Sequence, residues 1–166
     1  MSDLNERISA ALEHGAEYLA MGEIAANTGL LVSQAPRNTN YDIIVNNIDL
    51  SKGCMIEVSH SRDQFEAEVK GSDYDFLLFV YAPGEIENGI VKPSSGKNTD
   101  DTRGIYVFPR ALVSDTMGHS SAKHFNPKQI KVNGQNDDEK YKEYKNAYHL
   151  ILEMVPNSPP GFIQDQ

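Results

Sequence analysis

The chain has 166 residues, 39% of them hydrophobic, and acids outnumber bases 24 to 15 for a formal net charge of −9. This is the size of one domain with a real core, and it excludes wholesale disorder and a generally basic nucleic-acid coat. The charge is uneven: residues 1–82 carry 13 acids and 5 bases, whereas residues 83–166 carry 11 and 10. One cysteine, Cys54, excludes an internal disulfide framework and a cysteine-built zinc site.

The first residues lack the layout of a signal peptide, and no apolar run approaches the ~18 residues of a membrane span. A cytoplasmic protein with no membrane partner is expected.

No internal repeat is present. Residues 3–28 have helical composition, with Ile8, Ala11, Leu12, Leu19 and Ala26 on one face at about 100° per residue. Gly15 and Gly22 weaken this helix, leaving open one rod or two segments bent near residue 15. Strand-like segments come next at 30–34, 41–46 and 54–60, and 62–70 suits a short helix. Residues 74–81 are the most hydrophobic stretch and suit a central strand buried on both faces.

Residues 82–103, rich in Gly, Pro, Ser and charge, read as a long exposed loop, either mobile or functional. Strand signal returns at 104–108 and, half-exposed, at 128–133. A helix over about 137–155 presents Tyr141, Tyr144, Tyr148, Ile151 and Val155, and the proline-containing tail 156–166 is predicted to be loose. This order predicts a single α/β domain over 1–155, a mixed sheet flanked by helices.

Three acids occupy positions where apolar residues are expected. Glu23 faces the core side of the first helix, Asp42 opens the run Ile43-Ile44-Val45, and Glu57 interrupts Met55-Ile56-Glu57-Val58. A carboxylate entering a core is costly unless it is paired or binds a metal. Taken singly, each fits a solvated element end or an amide cap. Three on adjoining elements point to a shared site, and clustered carboxylates suit Mg²⁺ or Mn²⁺.

The stretches Gly22-Glu23-Ile24-Ala25-Ala26, Asn40-Tyr41-Asp42-Ile43-Ile44-Val45 and Met55-Ile56-Glu57-Val58-Ser59-His60-Ser61-Arg62 are similar in order and spacing to the PD-(D/E)xK nuclease superfamily, the restriction-endonuclease-like fold. Small Holliday-junction-resolvase-type domains are the members they most resemble. The resemblance covers about residues 15–81, and Tyr106-Val107-Phe108-Pro109-Arg110 resembles the family's last strand leading into a short segment.

The resemblance implies a metal-dependent endonuclease that hydrolyses DNA, with Asp42 and Glu57 as metal ligands and Glu23 as a helix acid that ligates the ion or orients its water. Position 59 departs from the pattern, since it is Ser where the motif has Lys. Lys52, Arg62 or Lys70 would have to supply the cation. Otherwise catalysis rests on the metal alone, or the domain is a degenerate module that binds protein or nucleic acid. A purely acidic nucleic-acid mimic explains the core-facing acids poorly.

Residues 116–136 contain no acid but carry Lys123, Lys128 and Lys131, which either contact DNA phosphates or guard an ordinary sheet edge. The polar run with Ser33, Gln34, Arg37, Asn38 and Asn40 before Asp42 either lines a substrate groove or is a plain connector. With this charge, a homodimer or a partner protein is a further expectation for building a DNA surface.

Overall fold

The computed structural model describes residues 2–87, 90–93, 103–118 and 124–157. In chain order it has helix α1 (Ser2–Thr28), strands β1 (Leu31–Gln34), β2 (Ile43–Asn46), β3 (Gly53–Ser61), β4 (Ala67–Glu68), β5 (Phe76–Tyr81), β6 (Gly84–Glu87), β7 (Ile90–Pro93) and β8 (Gly104–Pro109), helix α2 (Arg110–Met117), strands β9 (His124–Phe125), β10 (Lys131–Val132) and β11 (Gln135–Asn136), and helix α3 (His149–Met154). Five strands form one mixed sheet in the order β1-β2-β3-β5-β8, with β3 and β5 parallel and the other neighbours antiparallel. The expected fold class, a mixed sheet flanked by helices, is the one observed.

Every residue of β5 is buried, because the sheet is covered on both sides. Phe76, Leu78 and Val80 enter one core, with Ala16, Ala20 and Ile24 of α1 and Ile151 of α3. Leu77, Phe79 and Tyr81 enter the other, with Tyr106, Phe108, Phe125 and Tyr141. In that second core the Phe65 ring lies 5.5 Å from Phe79, 5.0 Å from Tyr81 and 4.9 Å from Tyr141, in tilted and edge-on arrangements favoured by ring quadrupoles.

Helix α1 is one rod, with no bend imposed by Gly15. Its buried line is Ala16, Ala20, Ile24 and Thr28, four residues apart, while Leu19 is 48% exposed and Ala11 and Ala26 face solvent. The predicted face is therefore rotated: small alanines let the helix approach the sheet closely, an advantage that ranking residues by hydrophobicity misses.

Two further segments differ from expectation. Residues 62–70 form no helix but a bend followed by the two-residue strand β4, which pairs with β9. The exposed loop predicted over 82–103 contains an antiparallel hairpin of β6 and β7; residues 88–89 and 94–102 lie outside the described residues.

The half-exposed strand at 128–133 is a 3₁₀ turn leading into the short β10–β11 hairpin. The single helix at 137–155 is a 3₁₀ turn (Lys140–Tyr144) and α3, separated at Asn146 by a left-handed backbone (φ 55°). The Asn146 N–H donates to Ile105 O at 2.9 Å on the edge of the sheet. Tyr141 thus packs on one face of the sheet while Tyr148, Ile151 and Val155 pack on the other. A helix-like spacing conceals a chain that changes layers.

The predicted tail, from residue 158 onward, lies outside the described residues. No helix among the described residues is long and apolar enough to cross a membrane.

Phe79 is fully buried among the rings of Tyr81 on its own strand and of Phe65 and Tyr106 on two other segments. Phe79→Ala is expected to lower unfolding free energy by ~3–5 kcal/mol, measured by urea denaturation.

Candidate active site

Strand β3 has nine residues and its neighbour β2 only four, so β3 runs on past the start of β2. At the junction the Asp42 N–H donates to Ile56 O at 2.9 Å, although Ile56 is already paired with Ile43. Two residues of this strand thus oppose one on β3, the arrangement of a bulge, which redirects a side chain from simple alternation. The Val58 N–H, with no strand carbonyl beyond the bulge, donates to Asp42 Oδ2 at 2.7 Å.

One residue before, Glu57 is 2% exposed, and its Oε1 is buried without a hydrogen-bond partner in the structure. Burial, then the Asp42 carboxylate, push the Glu57 acid up to about 7. Asp42 is also raised, by its own burial and then by Glu17, against the pull of the Val58 amide. The two acids therefore sit in a poorly hydrated space in which the Asp42 carboxylate disfavours ionisation of Glu57.

Lys70 enters from the segment after β4. Its ammonium pairs with Glu13 of α1, which lowers the Glu13 acid and raises the Lys70 amine, and it exerts an attractive charge on both Asp42 and Glu57. Glu13, Ser59, His60, Glu68 and Lys70 line a recess of about 130 Å³. Gly71 makes this approach feasible: a β-carbon there would stand 2.9 Å from Asn40 Cβ, so any side chain would push the Lys70 segment away from the loop that carries Asp42. Burial holds His60 below the usual imidazole range.

Of the residues predicted for the site, Asp42, Glu57, Ser59 and Lys70 are brought together. Glu23 is not. Its carboxylate faces Tyr148, whose hydroxyl is pushed up to about 12 by burial and then by Glu23, and it accepts from Asn27 Nδ2 at 3.1 Å. Ten residues of helix separate it from Glu13, about 15 Å along the axis.

The predicted trio of acids is accordingly not formed, and no group of three or more His, Cys, Asp or Glu side chains among the described residues is placed to hold a metal ion. Glu13 and Glu17 are the helix acids near Asp42 and Glu57. Placing the buried line at Ala16, Ala20 and Ile24 would have pointed to them, since they flank it.

The other candidate cations lie elsewhere. Lys52 is exposed in the β2–β3 turn, at the far end of β2 from Asp42, where its carbonyl accepts from Asn47 N. Arg62 lines a separate apolar recess with Leu12, Leu19 and Val80. Lys128 and Lys131 are exposed near β9, and neither lines the Lys70 recess; Lys123 lies outside the described residues.

The proton affinity of Glu57 has a consequence for stability. The folded protein takes up its proton near pH 7 and the unfolded chain near 4.5, so stability falls as pH rises between those values and the penalty is complete above about 7. Glu57→Gln is expected to be more stable than the parent by roughly 1–3 kcal/mol at about pH 8, and to lose this part of the slope. Urea denaturation in EDTA across that range is the measurement.

No family model matches this sequence, and no curated protein matches it. Among solved structures, the chain is similar to a bacterial homing endonuclease, I-Ssp6803I, with a TM-score of 0.51 and 16% identity over 87% of this chain and 92% of that one. The likeness is one of fold: the described sheet and helices are arranged as in a nuclease.

Proposed function

We propose that this chain is a metal-dependent nuclease of the PD-(D/E)xK type that hydrolyses phosphodiester bonds in DNA, with residues 1–155 forming one catalytic domain. The observation that carries this reading is the pair of the half-buried Asp42 and the buried Glu57, with the Lys70 ammonium beside it, in a fold similar to that of an endonuclease.

The residues fit a hard divalent ion. A buried carboxylate oxygen without a partner, on an acid whose ionisation a second acid opposes, is what a dication relieves. Two acids suffice for Mg²⁺ or Mn²⁺, which keep several waters and take substrate phosphate oxygens as further ligands. Asp42 and Glu57 would hold the ion, which supplies charge compensation and an activated water when bound.

The protein's own groups do the rest. Lys70 Nζ orients the attacking water and offsets charge growing on the phosphoryl oxygens, the task for which Ser59 has no charge. Glu13 holds Lys70 in place and keeps it protonated. The water oxygen bonds to phosphorus as the bond from phosphorus to the leaving sugar oxygen breaks; the water gives its proton to solvent, and the departing oxygen takes one from solvent. DNA approaches over the near-neutral half of the chain, with Lys123, Lys128 and Lys131 on its phosphates, and a second copy or a partner protein extends that surface.

Ser59 at the motif lysine favours a second reading, a degenerate module that binds without cleaving. The nuclease reading takes precedence because Lys70 brings a cation into the same recess as Ser59.

Supercoiled, single-stranded and branched DNA incubated with Mg²⁺ or Mn²⁺ separates the two. Cleavage is expected, abolished by EDTA and by Asp42→Asn or Glu57→Gln, and lowered ~10²-fold or more by Lys70→Met. Glu23→Ala is expected to retain cleavage. A folded protein inert on all three DNAs establishes the binding module instead.

A further inference from the structure

A second concavity adjoins Asp42, and the proposed chemistry makes no use of it. It encloses about 500 Å³ between α1 and the connection from β1 to β2. Tyr18, 62% exposed, contributes an aromatic ring, Gln34 lines the groove from the end of β1, and Arg37 and Asn38 line it from the connection.

The connection is ordered from within. The Ala35 N–H donates to Asp42 O at 2.8 Å, closing its neck, and the Thr39 hydroxyl lies 2.9 Å from the carbonyls of both Pro36 and Tyr41. Asn38 holds a left-handed backbone (φ 73°), which asparagine adopts more readily than most residues. The turn bearing Arg37 and Asn38 is therefore coupled through Asp42 to the proposed site.

The charges on the groove restrict what it binds. Arg37 is its one fixed cation and enters no ion pair among the described residues, while Glu17 and Asp42 are both carboxylates. A duplex footprint takes its affinity from several neutralised phosphates, and this groove has one cation to offer.

The remaining chemistry is that of a nucleobase site. The exposed ring gives a stacking surface, and the amides of Gln34 and Asn38 match the donor and acceptor edges of a base. The volume is that of a small-ligand site, far too small for a duplex.

We propose that this groove holds one unpaired nucleotide of the substrate strand, with its base stacked on Tyr18 and its phosphate on Arg37, next to the phosphodiester at Asp42 and Glu57. The assignment rests on the nuclease reading of that site. It makes the substrate a DNA with a single-stranded segment at the point of cleavage, such as a flap, gap or overhang.

Binding measured in EDTA, where no cleavage intervenes, tests it. The full chain is titrated by anisotropy with a labelled single strand, a blunt duplex and a flapped duplex of the same sequence. The flapped and single-stranded forms are expected to bind tighter than the blunt duplex. Tyr18→Ala is expected to weaken them ~10-fold, Tyr18→Phe to restore them, and Arg37→Gln to reduce the salt slope by about one phosphate contact.

A 2-aminopurine base at the unpaired position should lose fluorescence on binding to the parent and to Tyr18→Phe, but not to Tyr18→Ala. Equal binding of parent and Tyr18→Ala to flapped DNA, or a preference for blunt duplex, overturns the assignment. If that happens while Asp42→Asn still abolishes cleavage, the nuclease reading survives alone. Tyr18-dependent binding of flapped DNA that neither Mg²⁺ nor Mn²⁺ causes to be cut leaves the groove standing and removes the nuclease reading.

Discussion

A strand that outruns its neighbour leaves backbone amides with no ladder partner, and a buried amide must find an acceptor. In this protein β3 outruns β2, and the acceptor for Val58 is the carboxylate of Asp42. That hydrogen bond holds an acid at the margin of the core, one residue from the buried Glu57. The bulge at Asp42 and Ile43 ends the pairing of β2 and β3 and turns the Asp42 side chain to this position. The remaining geometry of the site, the Lys70 recess and the groove under Tyr18, is arranged around these two carboxylates.

Helix α1 and the segment carrying Lys70 come from different parts of the chain, yet both are constrained by small residues. Ala16 and Ala20 let α1 lie close to the sheet, placing Glu13 and Glu17 at the site's rim. Gly71 lets the Lys70 segment approach Asn40. The Glu13–Lys70 pair joins the two elements across the site. It is partly exposed and so contributes little to stability; its consequence is positional, since it holds a cation beside two acids.

The acid surplus of the first half acquires a structural account here. Glu13, Glu17, Asp42, Glu57 and Glu68 of that half all face the site or its rim. Such a concentration repels polyanions in bulk and tolerates a phosphate only where a cation intervenes, which makes Lys70 and Arg37 more consequential than their number suggests.

The sequence alone determined the elements whose signal is local. A six-residue apolar run reads as a strand buried on both faces because burial needs no partner to be recognised, and Asp42 and Glu57 stand out because carboxylates do not enter such runs without cause. Their closeness to each other was implied by family resemblance. Only the tertiary structure decided which helix acid and which cation join them. Glu23 was excluded and Glu13 admitted by where α1 lies along the sheet: Glu23 is about 15 Å further along the helix, against Tyr148. Lys70 was chosen over Lys52 and Arg62 by a contact at Gly71 with a loop some thirty residues away in the chain. Contacts between segments far apart in sequence leave no periodicity to read, so the composition of the site was set by packing.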